Sequence, residues 1–315
     1  MKKVVLTVLA FALLLVGCGK ADTSKNNIGQ QQSAEESTEK LKVYATIYPL
    51  YDFTKQIGGD KVDVELVVPN GQEPHDYEPS NELIKNLEHA KLFIFNGAGL
   101  ESWTDKVLKS LDNKELVSVE ASKGIKFLKG HDEDHDGSEQ EEALDPHVWL
   151  DPENAKIQAK NIAEGLSKVD PKNSEYYNKN LEDYLNALNE LNEDYKKGLA
   201  DIQQRTIVVS HEAYGYLCKE YGLEQIGIEG VNAETEPDAK TMAEIVDLVK
   251  EKNIKVIYTE DILDPKVAAT IAKEAHIKTA FLNPLESLTD EEIANNDNYI
   301  TIMKANLVKL EEGLK

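Results

Sequence analysis

The sequence predicts an α/β protein: two β/α lobes with parallel-type sheets, joined by one long rigid helix. Three observations carry this reading. From Leu41 onward, short β-branched runs alternate with amphipathic stretches, the pattern of parallel strands with helices laid on the sheet faces. That alternation stops at Pro171, where an apolar stripe of helical period runs for about thirty residues. A second strand–helix series opens at Thr206 and continues to the end of the chain.

In the first series, LKVYATIYPL is a strand running into a turn, and the stretch through Tyr51, Phe53 and Ile57 is a helix stopped by Gly58-Gly59. Residues 62–69 form a second strand, ELIKNLEHA a helix, KLFIFN a third strand, ESWTDKVLKSL a helix and ELVSV a fourth strand. An acidic insertion, GHDEDHDGSEQEEA, lies between Lys129 and Leu144 and makes the segment 129–144 read as a surface loop. Pro152 then opens a helix that runs to about Ser167. The lobe closes at Asp170, giving it the span 41–170.

The linking helix is placed at 171–202, with Asp170 as N-cap and Pro171 at the first helical position. Tyr177, Leu181, Tyr184, Leu185, Leu188, Leu191, Tyr195 and Leu199 recur three and four residues apart. Thirty residues would span about 45 Å, longer than a small domain is wide, so the helix serves to bridge two lobes. A coiled-coil partner is the alternative use of such a stripe. The second lobe, 203–315, contains the strands TIVVS, EQIGIEG, KVIYTED and KTAFLNP. Between them lie helices at 237–252, with Ala243, Val246 and Val249 inward, and at PKVAATIAKEAH. A last helix runs from about Asn298 to Leu314.

The N-terminal forty residues belong to neither lobe. Lys2 and Lys3 precede a thirteen-residue apolar run, 4–16, too short to span a bilayer comfortably as a helix. It ends in LVGC, which resembles a bacterial lipobox, so residues 1–17 read as a lipoprotein signal peptide and Cys18 as the lipidated mature N-terminus. Residues 18–40 are polar and read as a disordered tether. The protein is therefore expected on the outer face of the cytoplasmic membrane, held there only by its lipid anchor. The net charge of −23, about −25 without the leader, repels nucleic acid and attracts cations. Besides Cys18 the only cysteine is Cys218, in an apolar helical context, so no disulfide is available and Cys218 reads as a small buried hydrophobe.

One segment is unusually constrained. DPHVWLDPENA, residues 145–155, sets His147 beside Trp149 and between two Asp-Pro pairs, each of which restricts the backbone around it. Such bracketing suits an imidazole that must stay in place. In open α/β sheets ligands sit beyond the carboxyl ends of the strands. His75 follows the strand 62–69, His211 follows TIVVS directly and Glu286 follows KTAFLNP by a few residues. A cleft between the lobes would bring these three together with His147. Three imidazoles and one carboxylate suit a tetrahedral borderline metal, zinc first, and four protein donors leave no position for an activated water. His89 and His276 sit near helix C-termini, where the helix dipole accounts for them. His131 and His135, among the carboxylates of the acidic loop, form a candidate auxiliary metal site.

The pieces IYPLYDFTKQIGGD, GQEPHDYEPS, NGAGLESW, DPHVWLDPENA, SHEAYGYLCKEYGL and NPLESLTDEE resemble the cluster A-I (cluster 9) solute-binding lipoproteins of bacterial zinc and manganese ABC importers. Most of all they resemble the zinc-specific branch, and the likeness runs from about Leu41 to Lys315. The resemblance implies metal at the lobe interface and delivery to a membrane permease by a monomeric, non-enzymatic carrier. His75 matches the histidine of the PHDYEPS motif and His147 that of DPHVWLD. His211 stands where the zinc branch has histidine and the manganese branch usually glutamate; Glu286 matches the acidic position of the last loop. The expected cargo is Zn2+, with Mn2+ or iron as the alternative within the class. Two readings of other classes stand beside it: a surface metallohydrolase with Glu212 as general base, and an adhesin using the long helix and acidic surface.

Overall fold

The computed structural model describes residues 40–130, 144–233 and 236–315. The apolar leader, Cys18 and the loop histidines His131 and His135 lie outside the described residues. Two four-stranded, wholly parallel sheets organise the rest. The first contains β1 (Leu41–Ala45), β2 (Val62–Leu66), β3 (Leu92–Phe95) and β4 (Val117–Glu120), in the order β2-β1-β3-β4. The second contains β5 (Thr206–His211), β6 (Glu224–Glu229), β7 (Val256–Thr259) and β8 (Lys278–Phe281), in the order β6-β5-β7-β8.

Both sheets thus share one topology, and in each the winding reverses between the first and third strands. A reversal of this kind opens a crevice at the carboxyl ends of those two strands. The two lobes fill it differently. In the first, the buried Glu101 carboxylate plugs it, accepting bonds from Thr46 Oγ1 and from the backbone amides of Asn96 and Gly97. Burial nevertheless raises the Glu101 carboxyl above its usual range, against those three bonds. In the second, the crevice between β5 and β7 receives His211 and Glu260, both buried. The first lobe is closed for structure and the second is fitted for chemistry.

The helices follow their end signals. In the first lobe they are α1 (Tyr48–Gly58), α2 (Asn81–Leu87), α3 (Thr104–Ser110) and α4 (Pro152–Val169). Ser80 and Asp151 cap α2 and α4 by accepting from Leu83 N and Glu153 N. The Gly58-Gly59 stop holds. Gly59 takes φ +54, and a Cβ there would lie 2.3 Å from the Tyr176 hydroxyl, so the chain both turns and packs closely at that point.

The bridging helix α5 (Ser174–Gly198) is shorter than the sequence suggests, 25 residues spanning about 37 Å at the standard rise. Pro171 opens a separate 3-10 turn, Pro171–Asn173. Asp170 does not cap a backbone amide with its side chain; it accepts instead from Asn173 Nδ2 and from the Tyr177 hydroxyl, each at 2.7 Å. The stripe of Tyr177, Tyr184, Leu188, Leu191 and Tyr195 is buried against α1 and α4 and against the final helix α10 (Tyr299–Leu314). It is used within the chain, which removes the reason for a coiled-coil partner.

The second lobe adds α6 (Gly215–Tyr221), α7 (Ala239–Glu251), α8 (Lys266–Ala275) and α9 (Asp290–Asn295). One inward face needs correction. In α7 the buried residues are Ile245 and Val249, an i,i+4 pair; Val246 is half-buried and Ala243 is exposed. Both flank a groove shared with α8, because the two helices lie side by side over the sheet.

The last helix returns to the first lobe. The Asp52 carboxylate on α1 accepts from the Tyr299 amide, Tyr48 donates to the Asp297 carbonyl and Tyr195 to that of Met303. Phe53 meets Tyr299 edge-on, with centroids 4.9 Å apart. The main hydrophobic core accordingly runs without a break from Val43 to Leu314 across both sheets, with smaller cores under α2/α3 and under α7/α8. Among the described residues no helix is long and apolar enough to cross a membrane.

Candidate metal centre

Four segments deliver the site. The ladder of β2 continues past its end, with Val67 N and Val68 N bonding to Ala45 O and Thr46 O, and this aims the Pro69–Ser80 connection at the cleft. His75 rides on that connection. His147 follows Pro146 and leads into a 3-10 turn, Val148–Leu150, that runs directly into α4. His211 is the last residue of β5, and Glu286 follows β8 by five residues.

The structure brings the four side chains together, with one donor atom of each lying within 4.8 Å of all the others. Every imidazole presents Nε2. His147 Nε2 lies 3.2 Å from His75 Nε2, 3.3 Å from His211 Nε2 and 3.0 Å from Glu286 Oε1. His75 Nε2 is 3.2 Å from Glu286 Oε1, and His211 Nε2 is 3.8 Å from Glu286 Oε2. Donors about 2.0–2.1 Å from a tetrahedral zinc stand about 3.3 Å from one another, so these separations are the edges of such a polyhedron. His147, His211 and Glu286 are at least 97% buried, whereas His75 is partly exposed as a residue although its ring is only 5% exposed.

The loop that carries Glu286 is held from several sides. Trp149 Nε1 donates to the Pro284 carbonyl at 2.7 Å, tying the His147 segment to the Glu286 segment. Asn306 on α10 brackets Asn283, accepting from its amide and donating to its carbonyl. Leu285, buried and at φ +62, sits in a left-handed conformation that its amide secures by donating to Asn283 Oδ1. That fixed bend turns Glu286 inward.

Two carboxylates that sequence reasoning missed stand behind the rings. Asp145 Oδ1 accepts from His147 Nδ1 and from the His147 amide, each at 2.9 Å, and Glu260 Oε1 lies 2.7 Å from His211 Nδ1. The signals were available. Asp145 belongs to the same DPH bracket as His147, and Glu260 ends its strand in YTED just as His211 ends TIVVS. A third, Glu73, borders the mouth and accepts from the His75 amide.

Electrostatics follow from this crowding. Burial alone would raise Glu286, but His211, His147 and His75 hold it well below the carboxylate range. Burial opposes charge on His211, yet Glu260 and Glu286 outweigh it and push that imidazole up to about 10. His147 is also raised against its burial, by Asp145 and Glu286. At His75 burial prevails over Glu286 and the ring is lowered. Burial and the facing Glu286 push Glu73 up to about 8.

The other described histidines stay apart. His89 and His276 are exposed, His276 ending α8 in a left-handed conformation, and neither joins the cluster. Cys218 is buried and its thiol is raised by that burial, as an inert hydrophobe should be. Glu212, adjacent to His211, is not among the grouped donors.

Residues 43–313 match the family described as ZnuA, zinc-uptake complex component A, periplasmic. The high-affinity zinc uptake system protein ZnuA of Bacillus subtilis is 41% identical over 312 residues, covering 98% of this chain and 96% of that one. The zinc-binding lipoprotein AdcA of Streptococcus pneumoniae is 36% identical, but this chain spans only 61% of its length. Among solved structures, the Zn(II)-bound ZnuA-like domain of that AdcA superposes with a TM-score of 0.75 at 37% identity, over 88% of this chain and 99% of the other. The laminin-binding protein Lmb of Streptococcus agalactiae, described as bifunctional with adhesin and metal transporting activity, gives 0.78 at 34% identity, over 88% and 100%. With a family match over nearly the whole folded region and both lobes reproduced in its relatives, the chain belongs to the ZnuA family of zinc-uptake components, solute-binding proteins of metal importers.

Proposed function

We propose that this protein captures Zn2+ outside the cytoplasm and hands it to the permease of an ABC-type importer. The observation that carries the proposal is the convergence of three Nε2 atoms and one carboxylate, each on a different segment, within 4.8 Å. We assign His75, His147, His211 and Glu286 as the ligands. Neutral nitrogen donors with one carboxylate favour zinc over manganese, which prefers oxygen-rich octahedral sites. Four protein donors fill a tetrahedron and leave no place for a metal-activated water, which supports a carrier rather than an enzyme. Anchorage through Cys18, a monomeric state and the lobe boundaries 41–170, 171–202 and 203–315 complete the reading.

Elemental analysis of protein purified without added metal, followed by competition titration of the stripped protein, tests it. Zinc should co-purify at one equivalent and bind more tightly than manganese; the reverse order would move the protein to a manganese or iron role. A cobalt-substituted sample showing a bound, titrating water would instead favour the hydrolase reading with Glu212. His131 and His135 are proposed as a weak auxiliary site, so replacing both should abolish only a second, weaker zinc equivalent. Because the S. agalactiae relative is described as an adhesin as well, a second surface role is favoured if host-protein binding persists in a variant lacking the three ligand histidines.

A further inference from the structure

Each of two ligand rings has a carboxylate behind it, and the two pairs are built differently. Asp145 is local, two residues from His147, and also holds the His147 backbone. Glu260 is remote. It stands at the end of β7, the strand neighbouring β5, and approaches His211 across 49 positions of sequence. Its Oε1 faces His211 Nδ1 at 2.7 Å, while Oε2 is buried and has no hydrogen-bond partner among the described residues. Glu260 itself is only 8% exposed. A carboxylate left half-satisfied in a buried site is costly unless the single bond it makes has a purpose.

We propose that Glu260 is a positioning residue that commits His211 to bind through Nε2 and widens the preference of the site for zinc over manganese. The proposal rests on the assignment of His211 as a ligand. In the neutral ring that binds metal, an acceptor on Nδ1 keeps the remaining proton there, leaves the Nε2 lone pair facing the other donors and stops the ring from turning. Because that acceptor is a full carboxylate, it also draws the Nδ1 proton toward itself and makes Nε2 a stronger donor. Stronger nitrogen donation benefits the metal that binds nitrogen more strongly, which in the divalent series is zinc rather than manganese. Asp145 would act likewise on His147, but its bond to the backbone mixes that role with folding. Glu260 separates the two more cleanly.

The test compares wild type with Glu260→Gln, which keeps the shape and an acceptor oxygen but loses the charge, and with Glu260→Ala. Zinc and manganese affinities are measured by chelator competition on the mature chain, and the visible spectrum of the cobalt-loaded protein is recorded. Glu260→Gln should weaken zinc by about 10–100-fold, the range typical of such outer carboxylates. Manganese should fall by a clearly smaller factor, and the cobalt bands should shift toward lower energy. Glu260→Ala should be weaker still for zinc. Unchanged zinc affinity, an equal fold-loss for both metals or an unmoved cobalt spectrum would each overturn the proposal. A fall in the thermal midpoint of the metal-free variant without those metal-dependent changes would overturn it too. If wild type itself bound no zinc, the ligand assignment would fail instead, which is a separate result.

Discussion

At the scale of single residues, the site is a balance between protons and metal. With His211 pushed up to about 10 and Glu286 depressed, the metal-free pocket keeps positive charge on the His211 ring near neutral pH, and His147 is raised in the same direction by Asp145 and Glu286. Zinc needs neutral rings, so binding must release protons. Since His211 stays charged up to about 10, apparent zinc affinity should tighten by at least roughly tenfold per pH unit between about pH 5.5 and 8. Competition with a chelator of known pH dependence checks this, and a flat profile would exclude imidazole ligation. For the metal-free fold the signs differ. The raised histidines contribute stability that is complete below about pH 6.5 and fades as pH rises through their folded values. Depressed Glu286 contributes above its ordinary value near 4.5 and loses that contribution as pH falls through its lower folded one. On the proposed assignment of His147 as a ligand rather than a support, His147→Ala should cost zinc affinity more than about a hundredfold, beyond the range for outer carboxylates. The far-UV spectrum of the metal-free variant should be unchanged, because Asp145 keeps its bond from the backbone amide at position 147.

At the scale of elements, the site depends on close approach between segments distant in sequence. Gly215 opens α6, and a Cβ placed there would sit 2.5 Å from Asp145 Oδ2. Tyr216, the next residue, donates to the Asp145 carbonyl at 2.7 Å, and its oxygen accepts from the Leu128 amide. Gly215→Ala would therefore push Asp145 away from His147, and zinc affinity should fall by about tenfold or more with little loss of helix. Isothermal titration of stripped protein measures it; unchanged affinity would mean that Asp145 does not govern the His147 ring. These juxtapositions explain what the sequence could and could not reveal. The strand–helix alternation and the four convergent side chains were legible: parallel β/α units place functional groups at strand ends, a rule that His75, His211 and Glu286 obey, and the two Asp-Pro pairs marked His147. Glu260 obeys it too, but a glutamate in an acidic chain draws no notice until His211 is seen 2.7 Å away. The start of α5 was misplaced because Asp170-Pro171 is equally competent to open a 3-10 turn. The inward face of α7 was misjudged because apolar residues on two adjoining stripes, Ile245/Val249 and Met242/Val246, cannot be ranked without the position of α8.

At the scale of the whole molecule, the two lobes are separate sheets but share one core. The cluster containing Val43 and Val209 also contains Trp149, Tyr195, Tyr299 and Leu314, so neither lobe's interior closes without the other. Polar contacts reinforce this around the cleft: Gly71 donates to Ser287, Leu288 to Asn70, Trp149 to Pro284 and Tyr299 to the Trp149 carbonyl. Unfolding of the metal-free protein should consequently be one cooperative transition. Tryptophan fluorescence reports Trp103 in the outer first-lobe core and Trp149 beside His147, while far-UV dichroism reports every helix. Their midpoints should coincide in urea and on heating. Zinc should move that single transition without splitting it. At free zinc about a thousand times the dissociation constant, mass action adds about 4 kcal/mol, and a chain of this size gains roughly 2–4 °C per kcal/mol, an upward shift of roughly 8–16 °C. Two resolved transitions, with zinc raising only one, would instead mean that one lobe folds and binds alone. That is incompatible with a site whose Glu286 segment is tied to the first lobe through Trp149.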